Sequence, residues 1–171
     1  MVNLRRQAHG FSLIEMIVVV AILGIAMGIA VPGLQSLLAG QKMKSATFDL
    51  MTTTMLARSE AIKWGGASGA AISIVAPANN FNNGWCITFT SAVPCDLAAP
   101  DDGVMQIIKP TAGVNYVYQG VAAPIVFNRG GRLDSGGSVR LQVDDRDGSA
   151  TSRCVSIDSS GNATVKTGAC A

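Results

Sequence analysis

The feature that most constrains this chain is an uninterrupted apolar run near its N-terminus. It extends from Phe11 to Val31, 21 residues that carry a single charge, Glu15. At a helical rise of about 1.5 Å per residue, a run of this length spans the roughly 30 Å hydrocarbon core of a bilayer. Arg5 and Arg6 lie on its short N-terminal side, which predicts that this end stays cytoplasmic. The run therefore predicts one membrane-spanning helix, with the remaining domain outside the membrane.

The composition agrees with one domain and an apolar appendage. The chain has 171 residues, of which 49% are hydrophobic and 14% charged, and this pattern argues against intrinsic disorder. The net charge of +2 corresponds to Arg5 and Arg6, so the distal part is nearly neutral. His9 is the only histidine, and it precedes the apolar run. Histidine-dependent catalysis and histidine-ligated metals thus lose their key group, and we expect neither enzymatic activity nor a cofactor.

An ordinary secretory signal peptide is the simplest alternative for the apolar run. Its apolar region has about 7–15 residues and ends at a cleavage site of small residues. Here the run is longer and continues through Pro32 into a helical pattern. A plain single-span anchor fits the length, but it leaves Gly10 and Glu15 unexplained.

The residues around the start of the run carry a specific motif. The sequence Gly10-Phe11-Ser12-Leu13-Ile14-Glu15 resembles the processing motif of type IV prepilins and type II secretion pseudopilins. The resemblance implies that prepilin peptidase cleaves between Gly10 and Phe11, and that Phe11 is then N-methylated. A charged carboxylate within a bilayer is costly and usually has a partner. We therefore expect Glu15 to pair with the new amine of Phe11, its own or that of a neighbouring subunit.

Three small or helix-breaking residues add to the assembly pattern. Gly24 and Gly28 are four residues apart and permit close contact with another helix. Pro32 removes one helical hydrogen bond and can kink the chain. In pilins, a proline at the matching position accompanies local melting of the helix within the filament.

The helical pattern continues after Pro32 as an amphipathic segment. Phe48, Met51, Met55 and Ile62 recur at helical spacing, and this apolar stripe is predicted to pack on a sheet. The segment from Ala57 to Lys63 resembles the end of the long helix in minor pilins and H-type pseudopilins. The predicted divisions are a leader at 1–10, a membrane and assembly helix at 11–32, its amphipathic continuation at 33–64 and a head domain at 65–171.

Beyond the helix the pattern changes to short β-strands separated by Gly, Pro, Asn or Asp. Val139, Leu141 and Val143 alternate with polar residues, which marks one buried face. Asn83-Gly84-Trp85 also resembles the H-type subgroup. We predict an α+β, type IV pilin-like fold in which the long helix packs on an antiparallel, sandwich-like head. The candidate strands are Ala70–Val75, Trp85–Thr90, Val104–Lys109, Val114–Tyr118, Ile125–Phe127, Val139–Val143, Arg153–Ile157 and Ala163–Lys166.

Four cysteines lie in the predicted external domain, where disulfide bonds are favoured. Three pairings are open, and Cys86–Cys95 with Cys154–Cys170 is the choice that closes two local loops. A zinc site would be favoured by CxxC pairs, which the sequence lacks. The acidic run from Asp144 to Gly148 fails the calcium-loop pattern, because Val143 and Cys154 stand where oxygen ligands are required.

DNA binding is a further possibility, because some relatives in this subgroup are DNA receptors with a Gly-Arg-x-Arg motif near the C-terminus. Here the best-matching position reads Gly161-Asn162-Ala163-Thr164, without either arginine. Arg129 and Arg132 would be the candidate DNA contacts. Phosphate binding needs clustered cations, whereas the arginines of this chain alternate with aspartates.

Taken together, the resemblance implies a minor pilin of the type IV pilus. The chain would be processed by prepilin peptidase, anchored in the inner membrane with a periplasmic head, and incorporated to prime, cap or decorate the filament. Its partners would be other pilins and the inner-membrane assembly platform. Two alternatives remain: an H-type pseudopilin of a type II secretion system, and a DNA-binding minor pilin for natural transformation.

Overall fold

The computed structural model describes residues 11–64, 71–99, 101–120 and 124–171. A single long helix, α1, extends from Leu13 to Trp64 and includes position 32 without interruption. The chain divides into two compact units between Leu37 and Leu38. The first contains the apolar part of α1, and the second contains the remainder of α1 together with the β-strands.

Within the described residues, eight strands follow the helix, and they form two antiparallel sheets of four strands each. The first sheet has the order β3-β2-β1-β5, and the second has the order β4-β6-β7-β8. This architecture confirms the predicted α+β pilin-like fold, and every candidate strand corresponds to an observed one. The strands are β1 Ile72–Val75, β2 Trp85–Thr88, β3 Val104–Ile108, β4 Val114–Gly120, β5 Ile125–Phe127, β6 Val139–Asp145, β7 Arg153–Ile157 and β8 Ala163–Thr167.

The second sheet shows the clearest division between a buried and a solvated face. Val139, Leu141 and Val143 of β6 are buried, whereas Arg140 is exposed and Gln142 half-buried, as the alternation predicts. Val155 and Ile157 of β7 lie on the same buried face. These side chains join one apolar cluster with residues of α1 and of the first sheet.

Trp85 lies at the centre of this cluster and is fully buried. Its ring is 5.3 Å from the ring of Tyr116 on β4, and the two rings meet edge to face. Its indole Nε1 donates a hydrogen bond of 3.1 Å to Oγ1 of Thr53 on α1. One side chain of β2 therefore contacts both the second sheet and the helix.

The turn before β2 explains a glycine of the Asn83-Gly84-Trp85 motif. Gly84 has φ of +88°, and a Cβ at this position would lie 2.7 Å from the carbonyl oxygen of Ile108. In the same turn, Asn82 Oδ1 accepts from the backbone N–H of Tyr116 at 2.8 Å. Its Nδ2 donates to the carbonyl oxygen of Tyr116 at 3.1 Å. Asn82 thus pairs with the backbone of strand β4 as a strand residue would.

The structure contains the two disulfide bonds Cys86–Cys95 and Cys154–Cys170. Cys86 alternates with Trp85 and Ile87 and so points to the other face of the first sheet. Its bond to Cys95 holds the loop after β2 to that face. The second bond joins the C-terminal tail to β7. On the neighbouring strand β6, Gln142 Oε1 accepts a hydrogen bond of 3.1 Å from the backbone N–H of Cys170.

Candidate assembly interface

The described part of the first unit is an apolar helix. An 18-residue window of α1 reaches a mean hydropathy of 2.7 with none of its surface buried, so the helix is long and apolar enough to cross a membrane. The large apolar side chains from Phe11 to Leu38 are all exposed, from 46% at Val19 to 78% at Leu13. A surface of this kind is stable only in lipid or against other apolar helices.

The structure places the assembly residues predicted from the motif along this helix. Phe11 lies just before α1, and Glu15 lies in its first turn. A carboxylate there also interacts favourably with the unpaired N–H groups of the helix start. A Cβ added at Gly24 or Gly28 would meet no atom within 4 Å, so both positions are open to a neighbouring helix. Gly10 lies outside the described residues.

The second part of α1 buries one face against the head. The buried residues follow a spacing of three and four, as one face of a helix requires. Most of them are small: Met43, Ala46, Thr47, Leu50, Thr53, Thr54, Ala57 and Ala61. The buried hydroxyl groups bond to the helix's own backbone, for example Thr54 Oγ1 to the carbonyl oxygen of Leu50 at 2.8 Å.

The prediction that the apolar stripe of α1 packs on a sheet is therefore wrong for three of its four residues. Phe48, Met55 and Ile62 are 65%, 56% and 54% exposed, and Met51 is only half-buried. With 3.6 residues per turn, Phe48, Met55 and Ile62 lie about opposite to the buried alanines and threonines, whereas Met51 lies beside them and packs against the core. The reason is volume: the sheets already supply large core side chains such as Trp85 and Phe127, so close approach of the helix requires small ones.

The end of α1 is fixed to the head through Arg58. Its Nη1 donates a hydrogen bond to Oδ1 of Asn162, in the turn between β7 and β8. A Cβ at Gly131 would lie 2.9 Å from Cγ of Arg58, and one at Gly161 would lie 3.4 Å from its Cδ. These glycines leave room for the aliphatic part of the arginine. The sequence around Arg58 does not predict these contacts, because its partners lie more than 70 residues away.

The turn contacted by Arg58 is organised by Asp158. Its Oδ1 accepts from the hydroxyl and backbone N–H of Ser160 at 2.6 and 2.9 Å, and from the N–H of Asn162 at 3.0 Å. These bonds hold the pKa of Asp158 below its ordinary value, chiefly through the Ser160 hydroxyl, and the nearby Arg58 adds to the effect. The residues from Asp158 to Asn162 thus form the turn of the hairpin between β7 and β8.

The candidate DNA contacts lie in one turn of the head, next to Arg58 of α1. Arg129 and Arg132 are exposed in a turn that Asn128 Oδ1 organises by accepting from the N–H groups of Gly130 and Arg132. Arg140 lies on β6 and Arg153 on β7. Over the residues that the structure describes, no group of three His, Cys, Asp or Glu side chains is arranged to hold a metal ion.

Comparison with known proteins adds two matches along the sequence. Residues 46–161 match the family described as type II transport protein GspH, and residues 5–31 match the prokaryotic N-terminal methylation motif. The first match spans more than half of the chain. The chain belongs to the GspH family. The members of this pilin and pseudopilin family are structural subunits. The methylation motif includes the apolar run, so it assigns the membrane helix of this GspH-family chain to the N-terminus.

Two crystal structures of a minor pilin show the same fold. The minor pilin FimU of Pseudomonas aeruginosa, in a crystal of space group P21, superposes with a TM-score of 0.56 at 17% identity, over 74% of this chain and 89% of FimU. In space group P65 the TM-score is 0.54 at 18% identity, over 72% and 91% of the two chains. The pseudopilin EpsH of Vibrio cholerae gives 0.47 at 14% identity, over 75% and 97%. No curated protein sequence matches the chain significantly.

Proposed function

We propose that this GspH-family chain is a minor pilin of the type IV pilus. The observation that carries the proposal is the division of α1, with an apolar part exposed on all sides and a second part fixed to a β-rich head. A helix of this kind is inserted into a membrane first and packs among other pilin helices when it leaves the bilayer. The head then primes, caps or decorates the filament.

The proposed processing follows from the residues at the start of the helix. Prepilin peptidase removes residues 1–10 by cleavage between Gly10 and Phe11, and Phe11 is then N-methylated. Before assembly the subunit crosses the inner membrane once, with a short cytoplasmic N-terminus and a periplasmic head. Mass spectrometry of the membrane-extracted protein tests this step. It is expected to find an N-terminal Phe11 that carries one additional methyl group, and an unprocessed Met1 chain would contradict it.

The proposed role of Glu15 gives the sharpest test of assembly. A Glu15→Ala variant keeps the apolar helix but loses the carboxylate that would pair with the Phe11 amine. We expect normal cleavage and membrane insertion, and loss of the subunit from sheared pili detected by immunoblot. Asp102→Ala, an exposed acidic residue in the turn before β3, is the matched control and should be incorporated like the wild type. Normal incorporation of Glu15→Ala would reject the pairing.

The H-type pseudopilin of a type II secretion system is the alternative that shares the same helix and head. Co-purification after chemical cross-linking in membranes separates the two. Recovery with the major pilin supports the pilus, and recovery with the secretion pseudopilins supports the alternative. The inner-membrane assembly platform is an expected partner in both cases.

A DNA-receptor role is the second alternative, and it has a separate test. It predicts a salt-dependent mobility shift of DNA by the purified full chain, with a weaker shift for Arg132→Ala and for Arg129→Ala. The exposed position of both arginines makes them accessible to DNA. No shift at low salt would eliminate this alternative.

A further inference from the structure

Other parts of the chain cover two of the four sheet edges in the head. At the β5 edge, the N–H of Asp134 donates to the carbonyl oxygen of Val126 at 2.9 Å. At the β4 edge, Asn82 bonds to both the N–H and the carbonyl oxygen of Tyr116. Covering of this kind prevents an edge strand from pairing with another chain.

The edges of β3 and β8 are the two that the described residues leave open. Each strand pairs with one neighbour, β2 or β7. On their second edges, the only backbone hydrogen bond within the described residues is the one from Val104 to Asp101, in the turn before β3. Lys166 lies in β8, and a lysine on an edge strand discourages further pairing. β3 contains no charged residue, so it is the open edge that is better suited to accept another strand.

The hydrogen-bond pattern of the first sheet shows which backbone groups of β3 are free. Successive residues of a strand in an antiparallel sheet bond alternately to the neighbour on one side and on the other. Just after β2, the N–H of Phe89 donates to the carbonyl oxygen of Gly103 at 3.1 Å, so Ile87 also bonds towards β3. Cys86 then bonds towards β1, and its partner on β3 is Ile107. The N–H and C=O groups of Ile107 therefore point away from β2.

A groove with a volume of about 400 Å³ lies between this free edge and α1. It is lined by residues 106–109 and, on the helix, by Asp49, Thr52, Thr53 and Leu56. The hydroxyl groups of Thr52 and Thr53 donate to the carbonyl oxygen of Asp49 at 3.1 and 2.6 Å. A partner that covers this wall of the groove therefore leaves neither hydroxyl proton without an acceptor.

The carboxylate of Asp49 has no cationic partner in the described part of the chain. Asp49 is half-buried, and this burial raises its pKa above the ordinary value of 3.8. Among the described residues, the one ion pair within 4 Å joins Lys63 to Glu60, so Lys109 at the end of the groove does not reach Asp49. A carboxylate that is partly withdrawn from water without a counter-charge favours a cation supplied from outside.

We propose that the free edge of β3 binds an extended segment of a partner protein, which adds to the sheet as a further strand and places a lysine or arginine beside Asp49. The free backbone groups of Ile107 select an extended segment, because the backbone groups of a helix are already bonded to one another. The charge of Asp49 selects a basic segment. The groove lies outside the membrane helix, so this inference goes beyond the proposed function and does not depend on it.

Site-specific photo-cross-linking in cells tests the inference with the full chain. A benzophenone amino acid replaces Gln106 or Lys109, which are both exposed and lie three positions apart. Three residues of a strand span about 10 Å, so the two probes should react with one segment at points about three residues apart. A helical partner would place these points about seven residues apart. The same amino acid at Thr164, exposed on the other open edge, is the control and should not react with that segment.

Peptide mass spectrometry of the adducts identifies the segment and the two points of attachment. The expected result is a spacing of about three residues in a segment that contains a lysine or arginine. The absence of protein adducts, a helical spacing or a segment without a basic residue would each overturn the inference.

Variants of Asp49 test the role of its charge. Asp49→Asn keeps the size of the side chain, and the yield of adducts from position 106 should fall at least about fivefold. Asp49→Lys should abolish these adducts, whereas Asp147→Lys, the same change at an exposed turn residue, is the matched control and should keep the wild-type yield. Because burial disfavours the charged form of Asp49, Asp49→Asn should unfold at the same or a higher urea concentration than the wild type. A wild-type yield from Asp49→Lys would contradict the proposed contact.

Variants of Ile107 test the pairing of the backbone. Ile107→Pro removes the free N–H but none of the hydrogen bonds between β2 and β3, since proline is tolerated where the N–H of an edge strand points outwards. The yield of adducts from position 106 should fall at least about fivefold. Ile107→Ala shortens the side chain and keeps the N–H, so it is the matched control and should retain the adducts. Equal yields from these two variants would reject strand addition, and near-UV circular dichroism of the detergent-purified chains checks that both are folded. The Asp49 variants leave the backbone of the sheet unchanged, so they decide the inference if Ile107→Pro does not fold.

Discussion

The two faces of α1 beyond Leu38 carry opposite kinds of residue. The face against the head consists largely of alanines and threonines, and the outward face carries Phe48, Met55 and Ile62. Hydrophobicity alone would place the larger side chains inside. The difference teaches that the available volume decides, because the sheets fill the core with Trp85 and other large residues and leave only a narrow space for the helix. Large apolar residues therefore remain on the outward face.

The strongest test of the difference between the two faces compares two residues that lie only two positions apart on α1. Leu50 is 3% exposed on the buried face, whereas the larger Phe48 is 65% exposed on the outward face. Leu50→Ala should lower the free energy of unfolding by about 3 kcal/mol, since it leaves a cavity between helix and head. Phe48→Ala should change it by no more than about 0.5 kcal/mol. Urea unfolding of the detergent-purified full chain, followed by near-UV circular dichroism, measures both values. Equal losses would show that the two faces are not distinguished as described.

The contact that fixes the end of α1 to the head is expected to have the next largest effect on stability. Gly161 has φ of +81°, and a Cβ there would collide with the carbonyl oxygen of Gly131. Gly161→Ala should therefore destabilise the head by at least about 2 kcal/mol, from the backbone conformation and the collision together. Gly136 has a similar φ of +67° but open space around it, so Gly136→Ala is the matched control. It should lose only about 1 kcal/mol, the contribution of the conformation. Two equal losses would mean that the contact with Gly131 has no role of its own.

The sequence was a good guide where the signal is local. All eight strands could be placed, because β-branched runs are separated by turn residues such as Asp158 and Gly161. Some boundaries differed, and β6 continues to Asp145 where the prediction ended at Val143. The cysteine pairs joined by local loop closure are the pairs bonded in the structure.

The sequence was a poor guide where the structure depends on distant residues. The orientation of α1 is set by the large side chains of the sheets, so the stripe at Phe48 and Met55 could not be assigned to the correct face from its spacing alone. Arg58 forms a hydrogen bond with Asn162, which lies more than 100 positions later in the chain. The sequence around either residue does not predict this contact. The pairing of Asn82 with the backbone of Tyr116 is similarly distant. Gly84 belongs to the Asn83-Gly84-Trp85 motif, but the sequence does not show why a glycine is needed there. The reason is the carbonyl oxygen of Ile108, which leaves no room for a Cβ at this position.

The smallest effect concerns the turn on which the anchored end of α1 depends. The pKa of Asp158 lies below its ordinary value of 3.8, so the unfolded chain binds a proton at this carboxyl more readily than the folded chain does. Its contribution to stability is therefore complete above the ordinary pKa and disappears as the pH falls through the lower folded value. Asp158→Asn should remove this part of the pH dependence and slightly lower stability at neutral pH.

Ser160→Ala removes the hydroxyl that contributes most to the shift, so it should raise the pKa of Asp158 towards 3.8 without changing the charge of the chain. Carboxyl-detected NMR titration of the full chain in detergent measures this pKa. A wild-type value at or above 3.8 would show that the hydrogen bonds of Asp158 do not favour its charged form, and the anchored turn would then lose its electrostatic support.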